Sequence, residues 1–296
     1  MKHTHRIPKE IMPYLLLFPV FLYYAVFWLV PVLSGVKEVF TTLDGTFSLF
    51  SNFRLMASSD LFGQAVFNTA AFAVLSVLIQ YLIALLLAVL LNRKFSGAKL
   101  LMFASMIPMA ITPTATAILW KTGLMKDGWI NTILMGMHLI QVPIVFLNAE
   151  QFSAVLLLIV VDSWTVTPSI MIILIAGLQG LQKDQKEAAY LFGANKWMIF
   201  RDVTLPTLKP SITTSIIMRM IAALQVWAIS VMILGYSKAP FLVERVAFYV
   251  DAIPGVDTST KLAYTYSFMT TIVVLLATVV YLKVSRKTGH QEKEAS

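Results

Sequence analysis

The chain has 296 residues, of which 58% are hydrophobic and only 13% are charged, and its formal net charge is +8. A charged fraction about half of the usual ~25% leaves too few polar side chains to cover a water-soluble fold of this length, so composition excludes a soluble globular protein. The mean hydropathy of +0.78 indicates a protein that crosses a lipid bilayer several times. Cysteine is absent, which excludes disulfides and cysteine-based metal or redox sites.

The N-terminal stretch MKHTHRIPKE is basic and precedes an apolar run, as in a signal peptide. That run is too long for a signal-peptide core and no small-residue cleavage site follows it, which indicates a retained membrane span. Crossing a bilayer takes about 20 apolar residues. The chain offers six such runs: 11–36, 64–91, 100–120, 153–181, 211–235 and 262–284.

A seventh apolar stretch, at 129–147, is long enough to span but is interrupted by Asn131, His138 and Pro143. With six spans and a cytoplasmic N-terminus, the inner segments hold most of the Lys and Arg residues, as membrane proteins generally require. Counting 129–147 as a span nearly removes this bias. We therefore predict an all-α protein with six transmembrane helices, both termini in the cytoplasm, and a helix at 129–147 that lies on or dips into the outer face.

These spans divide the chain into three parts. Residues 1–63 form a tail, the first transmembrane helix and an outer loop; residues 64–284 form a core of five helices; residues 285–296 form a cytoplasmic tail. The basic excess is explained by topology, so we expect no nucleic-acid partner.

A soluble-looking segment, EAAYLFGANKWMIFRDVTLP, interrupts the core at 187–206 on the predicted cytoplasmic side. It predicts a short helix, a turn at 193–195, a second short helix and a stop at Pro206. Large apolar residues in such a loop indicate either a docking surface or packing on the loop's own helix ends. These residues are Leu191, Phe192, Trp197, Met198 and Phe200.

Two ionisable residues, Asp162 and Arg219, lie well inside predicted spans. A charge near the bilayer centre costs ~2.5–3.5 kcal/mol on insertion scales, so each must face a cavity or a partner. One interpretation is an ion pair that joins the two helices. The other is a polar cavity, because Pro168 should bend the span that carries Asp162 and free a backbone carbonyl.

Helical spacing favours the cavity. Asp162, Thr165 and Ser169 share one helix face, and the second span carries a matching stripe. A polar ligand held in such a cavity needs several hydrogen-bond partners and an apolar or aromatic surface, for which Trp164 and Trp227 are candidates. The residues of the second stripe are Arg219, Ala222 and Gln225.

No catalytic constellation is present: the sequence lacks a GxxxxGK[ST] phosphate-binding loop, an HExxH motif and a GxSxG motif. His3 and His5 are a poor metal site near the tail. We therefore expect a chain that is not an enzyme and holds no cofactor or metal, and whose energy comes from a partner.

The spacing Glu-Ala-Ala, three residues, Gly, nine residues, Val-Thr-Leu-Pro resembles the EAA loop of binding-protein-dependent ABC transporter permeases. Weaker matches along nearly the whole chain, such as Pro108, Pro113 and Trp120, resemble the sugar permeases related to the larger maltose permease subunit and the glycerol-3-phosphate permeases. The resemblance implies the type I ABC importer permease fold. It assigns ATPase coupling to Glu187, Ala188, Ala189, Gly193, Leu205 and Pro206.

The same resemblance implies substrate contacts from the two helices that carry the polar stripes. It places them near Asp162, Val166 and Ser169, and near Arg219, Ala222 and Gln225. It also implies a second homologous permease subunit, an ATP-binding cassette ATPase dimer that binds ATP and Mg, and an extracytoplasmic solute-binding protein, all at the plasma membrane of a bacterium.

The expected function is therefore that of the permease subunit of an ATP-driven importer for a sugar or oligosaccharide. Arg219 is unusual for a neutral sugar, which raises the hypothesis of an acidic ligand. The alternatives are an ABC permease for a non-sugar solute and an ion-coupled secondary transporter. The latter would need intramembrane carboxylates, of which only Asp162 qualifies, and inverted repeats, which are not seen.

Overall fold

A computed structural model describes residues 12–92, 95–148, 150–180, 183–252 and 254–294, and within these ranges the chain is mostly helical. We number the helices in chain order. They are α1 (Met12–Val39), α2 (Ser51–Ala57), α3 (Phe62–Leu91), α4 (Ala98–Ala110), α5 (Pro113–Leu124), α6 (Trp129–Gly136), α7 (Gln151–Gln179), α8 (Lys183–Leu191), α9 (Lys196–Leu224), α10 (Ala228–Leu234), α11 (Leu242–Ala247) and α12 (Asp257–Glu294).

Four of these helices, α1, α3, α7 and α12, are each long and apolar enough to cross a bilayer. Two bent pairs raise the number to six in the described part of the chain if each pair counts as one span: α4 with α5, bent by 99°, and α9 with α10, bent by 46°. Each predicted apolar run is thus helical over most of its described residues, and the runs at 100–120 and 211–235 are each interrupted by a bend that the sequence analysis did not indicate.

The first bend has a local cause in the sequence. Pro108 and Pro113 flank it, and the Thr112 between them is extended, with its side chain accepting a hydrogen bond from the Ala115 amide at 3.3 Å. Thr112 therefore caps a new helix whose first residue is a proline. The second bend, at Gln225–Trp227, has neither proline nor glycine, which is why the sequence pattern did not indicate it.

The centre of the bundle is the contact between α3 and α7. Small residues on α3 make this close packing possible, because they let helix backbones approach each other. Ala73, Ala84 and Ala88 are buried there, and α7 supplies larger buried side chains such as Leu158 and Leu174.

Among the described residues, helix α1 contacts the rest of the chain through its last turns. A Cβ atom at Gly35 would lie 3.4 Å from the Tyr264 ring, and Glu38 forms an ion pair with Lys261 of α12. Before this contact the apolar side chains of α1 are exposed, and no residue of Met12–Tyr24 is buried. The described part of the chain therefore leaves most of the length of α1 uncovered.

The stretch at 129–147 forms a short helix and a folded loop. Helix α6 covers only eight residues, about 12 Å at 1.5 Å per residue, which is too short to cross a bilayer. The chain then turns back at His138 (φ 58°). The buried Asn131 side chain donates to the carbonyl of Ile144 at 2.9 Å and accepts from its amide at 2.9 Å. The prediction of a non-spanning segment agrees with this, but a helix over the whole stretch is wrong because the loop folds around Asn131.

A second loop, between α10 and α11, is fixed to the start of α3. Asn68 donates to the carbonyl of Pro240 at 2.9 Å, and the Thr69 hydroxyl accepts from the Leu242 amide at 3.0 Å. In α11, which follows this loop, Glu244 and Arg245 are buried and form an ion pair at 2.6 Å. This loop closes the end of the bundle opposite to α8.

Candidate functional site

Three helices each contribute one polar side chain to a cluster inside the bundle: Gln80 from α3, Asp162 from α7 and Arg219 from α9. Gln80 Nε2 donates to Asp162 Oδ2 at 2.8 Å, and Arg219 Nε donates to Gln80 Oε1 at 2.6 Å. The Arg219 guanidinium also forms an ion pair with Asp162 Oδ2. The side chains of Arg219 and Asp162 are only 8% and 15% exposed. The ion pair that the sequence left as one of two interpretations is therefore formed.

The same pair also borders a cavity of about 290 Å³. The two interpretations from the sequence are therefore both satisfied, because the paired side chains line an opening between α3, α5, α7 and α9. Of the seven predicted substrate-contact residues, six line this cavity: Asp162, Thr165, Val166, Arg219, Ala222 and Gln225.

The break between α9 and α10 opens onto this cavity. Gln225, Val226 and Trp227 leave the regular helix, and all three line the opening. Interrupted backbone at membrane depth is tolerated where it faces a cavity instead of lipid, since the freed peptide groups need polar partners. The break therefore supports an interior in contact with water or with a polar solute.

The seventh predicted contact, Ser169, and the candidate aromatic residue Trp164 do not line the cavity. The Ser169 hydroxyl donates to the carbonyl of Val166 at 2.7 Å, within its own helix. The Trp164 ring packs edge-to-face on Trp120, with centroids 5.8 Å apart. Of the two candidate aromatic residues, only Trp227 lies at the cavity.

Sequence analysis missed two polar residues here. Gln80 had a usable signal, because it is an isolated amide in an otherwise apolar run. Thr116 lines the cavity from α5, and its buried hydroxyl has no hydrogen-bond partner among the described residues. The sequence pattern gave no sign of Thr116, because its position beside α7 depends on the sharp turn between α4 and α5.

The other candidate site is the segment at 187–206, whose local structure follows from three residues. Gly193 adopts φ +81° after the end of α8, a left-handed conformation that favours glycine at a helix C-terminus. The Ala194 amide donates back to the carbonyl of Ala189 at 3.0 Å. Asn195 then caps α9, its side chain accepting from the Met198 amide at 2.9 Å. The predicted helix, turn and helix are therefore present.

The predicted stop at Pro206 is wrong, because α9 continues through it to Leu224. A π turn at Phe200–Thr204 precedes the proline, with Leu205 between them. In such a turn each amide bonds to a carbonyl five residues earlier, and the altered pairing accommodates a residue that lacks an amide hydrogen. The segment is consequently continuous with the membrane helix that carries Arg219.

Large apolar side chains of this segment extend into solvent. Phe192 is 91% exposed and Trp197 is 65% exposed, and Leu191 and Met198 are exposed beside them. Glu187 and Ala188 are also exposed, on α8. Of the two interpretations offered by the sequence, packing on the segment's own helix ends does not account for these residues.

The sequence profile of a known family, described as binding-protein-dependent transport system inner membrane component, matches residues 80–288. The trehalose/maltose transport system permease protein MalF of Thermococcus litoralis is 29% identical over 286 residues, covering 92% of this chain and 93% of that protein. The lactose transport system permease protein LacF of Rhizobium radiobacter is 33% identical and covers 69% of each chain.

Among solved structures, a bacterial ABC transporter involved in the import of the acidic polysaccharide alginate matches with a TM-score of 0.81 at 21% identity, covering 94% of this chain and 98% of that one. A structure of the bacterial alginate ABC transporter in complex with alginate pentasaccharide-bound periplasmic protein matches equally well, with a TM-score of 0.81 at 21% identity over 95% of this chain and 97% of that one. These likenesses confirm the predicted fold, an all-α polytopic permease of the type I ABC importer class.

Proposed function

The chain belongs to the family of inner membrane components of binding-protein-dependent transport systems, and on that premise we propose that it is one permease half of an ATP-driven importer for a sugar or oligosaccharide. The relatives named for trehalose/maltose and lactose transport support the sugar class. The fold shared with an alginate importer keeps an acidic sugar among the candidates. The protein would act in the plasma membrane of a bacterium.

The observation that carries this proposal is the cavity inside the bundle, which polar and apolar side chains line together. Hydroxyl, amide and charged groups converge on it, and Trp227 supplies an aromatic surface. This is the mixture of polar and apolar groups that recognition of a sugar requires. We assign substrate contact to the six predicted residues that line the cavity and add Thr116; Ser169, which does not line the cavity, ranks below them.

The partners follow from surfaces that the chain leaves uncovered. The apolar length of α1 supports contact with a second, homologous permease subunit. The exposed aromatic residues of 187–206 support docking to an ATPase dimer, which would bind ATP and Mg and hydrolyse the nucleotide. An extracytoplasmic binding protein would deliver the solute to the opposite end of the bundle.

Coupling would run along α9. Closure of the ATPase dimer on ATP would move the segment at 187–206, and α9 joins that segment to Arg219 without interruption. Movement at one end therefore reaches the cavity directly, as alternating access between two states requires. An ion-coupled mechanism has less support, because Arg219 already neutralises Asp162.

The test is the ATPase activity of the reconstituted complex of this chain, the second permease subunit, the ATPase dimer and the binding protein. The binding protein is loaded in turn with each member of a panel of neutral and acidic oligosaccharides. We expect one loaded binding protein to raise ATP turnover, and Glu187→Lys and Gly193→Asp to abolish the increase. Gly97→Asp is the matched control: Gly97 also has positive φ (+95°) and open space around it, but it lies outside the segment. Turnover that ignores the binding protein, or falls equally in the control, would overturn the proposal.

A further inference from the structure

The cavity contains two opposite charges that cancel each other. Among the described residues that line it, Asp162 and Arg219 are the ionisable ones, and they form a direct ion pair. Arg219 was a reason to expect an acidic sugar only as long as its charge was unmatched. Paired with Asp162, it gives the cavity a net charge of zero from this chain.

The pair still has hydrogen-bonding capacity on both sides. The bonds from Gln80 and Arg219 both end on Asp162 Oδ2, so Oδ1 can accept another. Arg219 uses Nε and Nη2 in these bonds, and the guanidinium has further N–H donors on Nη1. The pair therefore presents an acceptor next to a donor, which is the complement of a sugar hydroxyl or a vicinal diol.

Gln80 holds this arrangement in place. Its amide donates to Asp162 and accepts from Arg219, so that α3, α7 and α9 are joined through one side chain. Because Gln80 hydrogen-bonds both charged side chains, neither can easily adopt another rotamer that would leave its partner unpaired beside a ligand. An anionic group brought to Arg219 would also lie close to the Asp162 carboxylate, where little water screens the repulsion.

We propose that the ligand unit held at this cavity is an uncharged sugar, and that the Asp162–Arg219 pair discriminates against a carboxylate, sulfate or phosphate there. This rests on the proposed sugar import and narrows its substrate class. Asp162 provides the discrimination, since its carboxylate repels anions and accepts a hydrogen bond from a sugar hydroxyl. Gln80 acts as a positioning residue, because it reaches the ligand only through the other two.

The test measures binding of two matched ligand series to the complete permease–ATPase complex in nanodiscs, by calorimetry and without the binding protein, so that selectivity reports the permease. The probes are neutral gluco-, galacto- and manno-trisaccharides and their C6-oxidised uronate counterparts. We expect the preferred neutral trisaccharide to bind about tenfold or more tightly than its uronate.

Two single variants separate charge recognition from structural damage. Asp162→Asn keeps the size of the side chain and an amide oxygen that can accept from Gln80. It should shift the ratio of the neutral to the uronate binding affinity toward the uronate by about tenfold or more. Arg219→Gln should shift the ratio in the opposite direction. A merely structural pair would weaken both ligands alike in both variants, and the ratio would not move. Gln80→Glu, which adds a negative charge at the cluster, should shift it in the same direction as Arg219→Gln.

Uronate binding to the wild type as tight as neutral binding would overturn the inference while leaving sugar import intact. Shifts of the same sign in Asp162→Asn and Arg219→Gln would also overturn it. Absence of binding by either series, together with no stimulation of ATPase activity in the complete system, would instead remove the proposed function and this inference with it.

Discussion

A Cβ atom built on Gly177 would lie 2.7 Å from the Oγ of Ser211, so α7 and α9 touch at this point with no space for a side chain. Leu208 Cδ2 would be 2.9 Å away on the same side. Along α9 the contact lies between the exposed segment and Arg219. The crossing is therefore placed to link the segment at 187–206 to the cavity.

Gly177→Ala should destabilise the protein by about 1–3 kcal/mol, the usual cost of overpacking a close contact. In an open helical position the same change is neutral or stabilising, because alanine restricts the unfolded chain. Gly63→Ala is the control, since Gly63 is helical and has nothing within 4 Å of its Cβ position. Thermal unfolding of the purified chain in detergent measures both. Equal melting temperatures for the two variants would show that the crossing is not tight.

Asp162→Ala should be strongly destabilising, by about 3–5 kcal/mol, because it leaves the buried Arg219 without its counter-charge. The double variant Asp162→Ala, Arg219→Met should recover much of this loss, since it removes the unpaired charge. The measurement is thermal unfolding of the two variants beside the wild type. A double variant less stable than the single one would mean that the pair contributes net stability instead of compensating its own burial.

Asn131→Ala should release the loop that follows α6. Its side chain holds the Met125, Lys126 and Ile144 carbonyls and the Ile144 amide, and the unsatisfied groups would cost about 1–3 kcal/mol each where they stay buried. Limited proteolysis between α6 and α7 should accelerate. Asn148→Ala, at an exposed position of the same loop, serves as the control and should leave the cleavage rate unchanged.

Phe192→Ala and Trp197→Ala should weaken association with the ATPase without lowering the stability of the permease. Both side chains are exposed, so truncation costs no buried contact in this chain, whereas aromatic anchors often contribute 2 kcal/mol or more to an interface. Co-purification with the ATPase subunit measures the effect. Phe103→Ala is the control, because Phe103 is 68% exposed but lies on the membrane helix α4. Equal losses in all three variants would argue against docking through this segment.

The buried ion pair Glu244–Arg245 of α11 can be tested by substitution. Glu244 Oε1 accepts both from Arg245 and, at 2.9 Å, from the Ser237 amide. Glu244→Leu should therefore cost about 3–5 kcal/mol, because it leaves a buried arginine unpaired. Glu244→Gln retains the acceptor and should cost less. Thermal unfolding distinguishes the two, and an unaffected Glu244→Leu variant would contradict the role assigned to this pair.

Much of the fold was accessible from the sequence because each signal is local. Apolar length predicted the spans, Gly193 and Asn195 predicted the turn between α8 and α9, and the prolines at 108 and 113 were visible before the bend they cause. The errors have a common origin. The continuation of α9 through Pro206 depends on a π turn, and the break at Gln225 has no special residue, so neither leaves a mark in hydropathy or spacing.

The class of the protein, its apolar spans and the polar stripes on α7 and α9 could all be predicted from the sequence, because local periodicity and the cost of desolvation leave few choices. That Asp162 and Arg219 both pair and line a cavity became clear from the packed helices alone, since it depends on the relative height and rotation of α7 and α9. The structure also adds Gln80 to the ion-pair cluster and Thr116 to the cavity lining, and it leaves Ser169 outside that lining. Those assignments are set by packing between distant segments, where a residue without a side chain, such as Gly177, lets two helices approach closely.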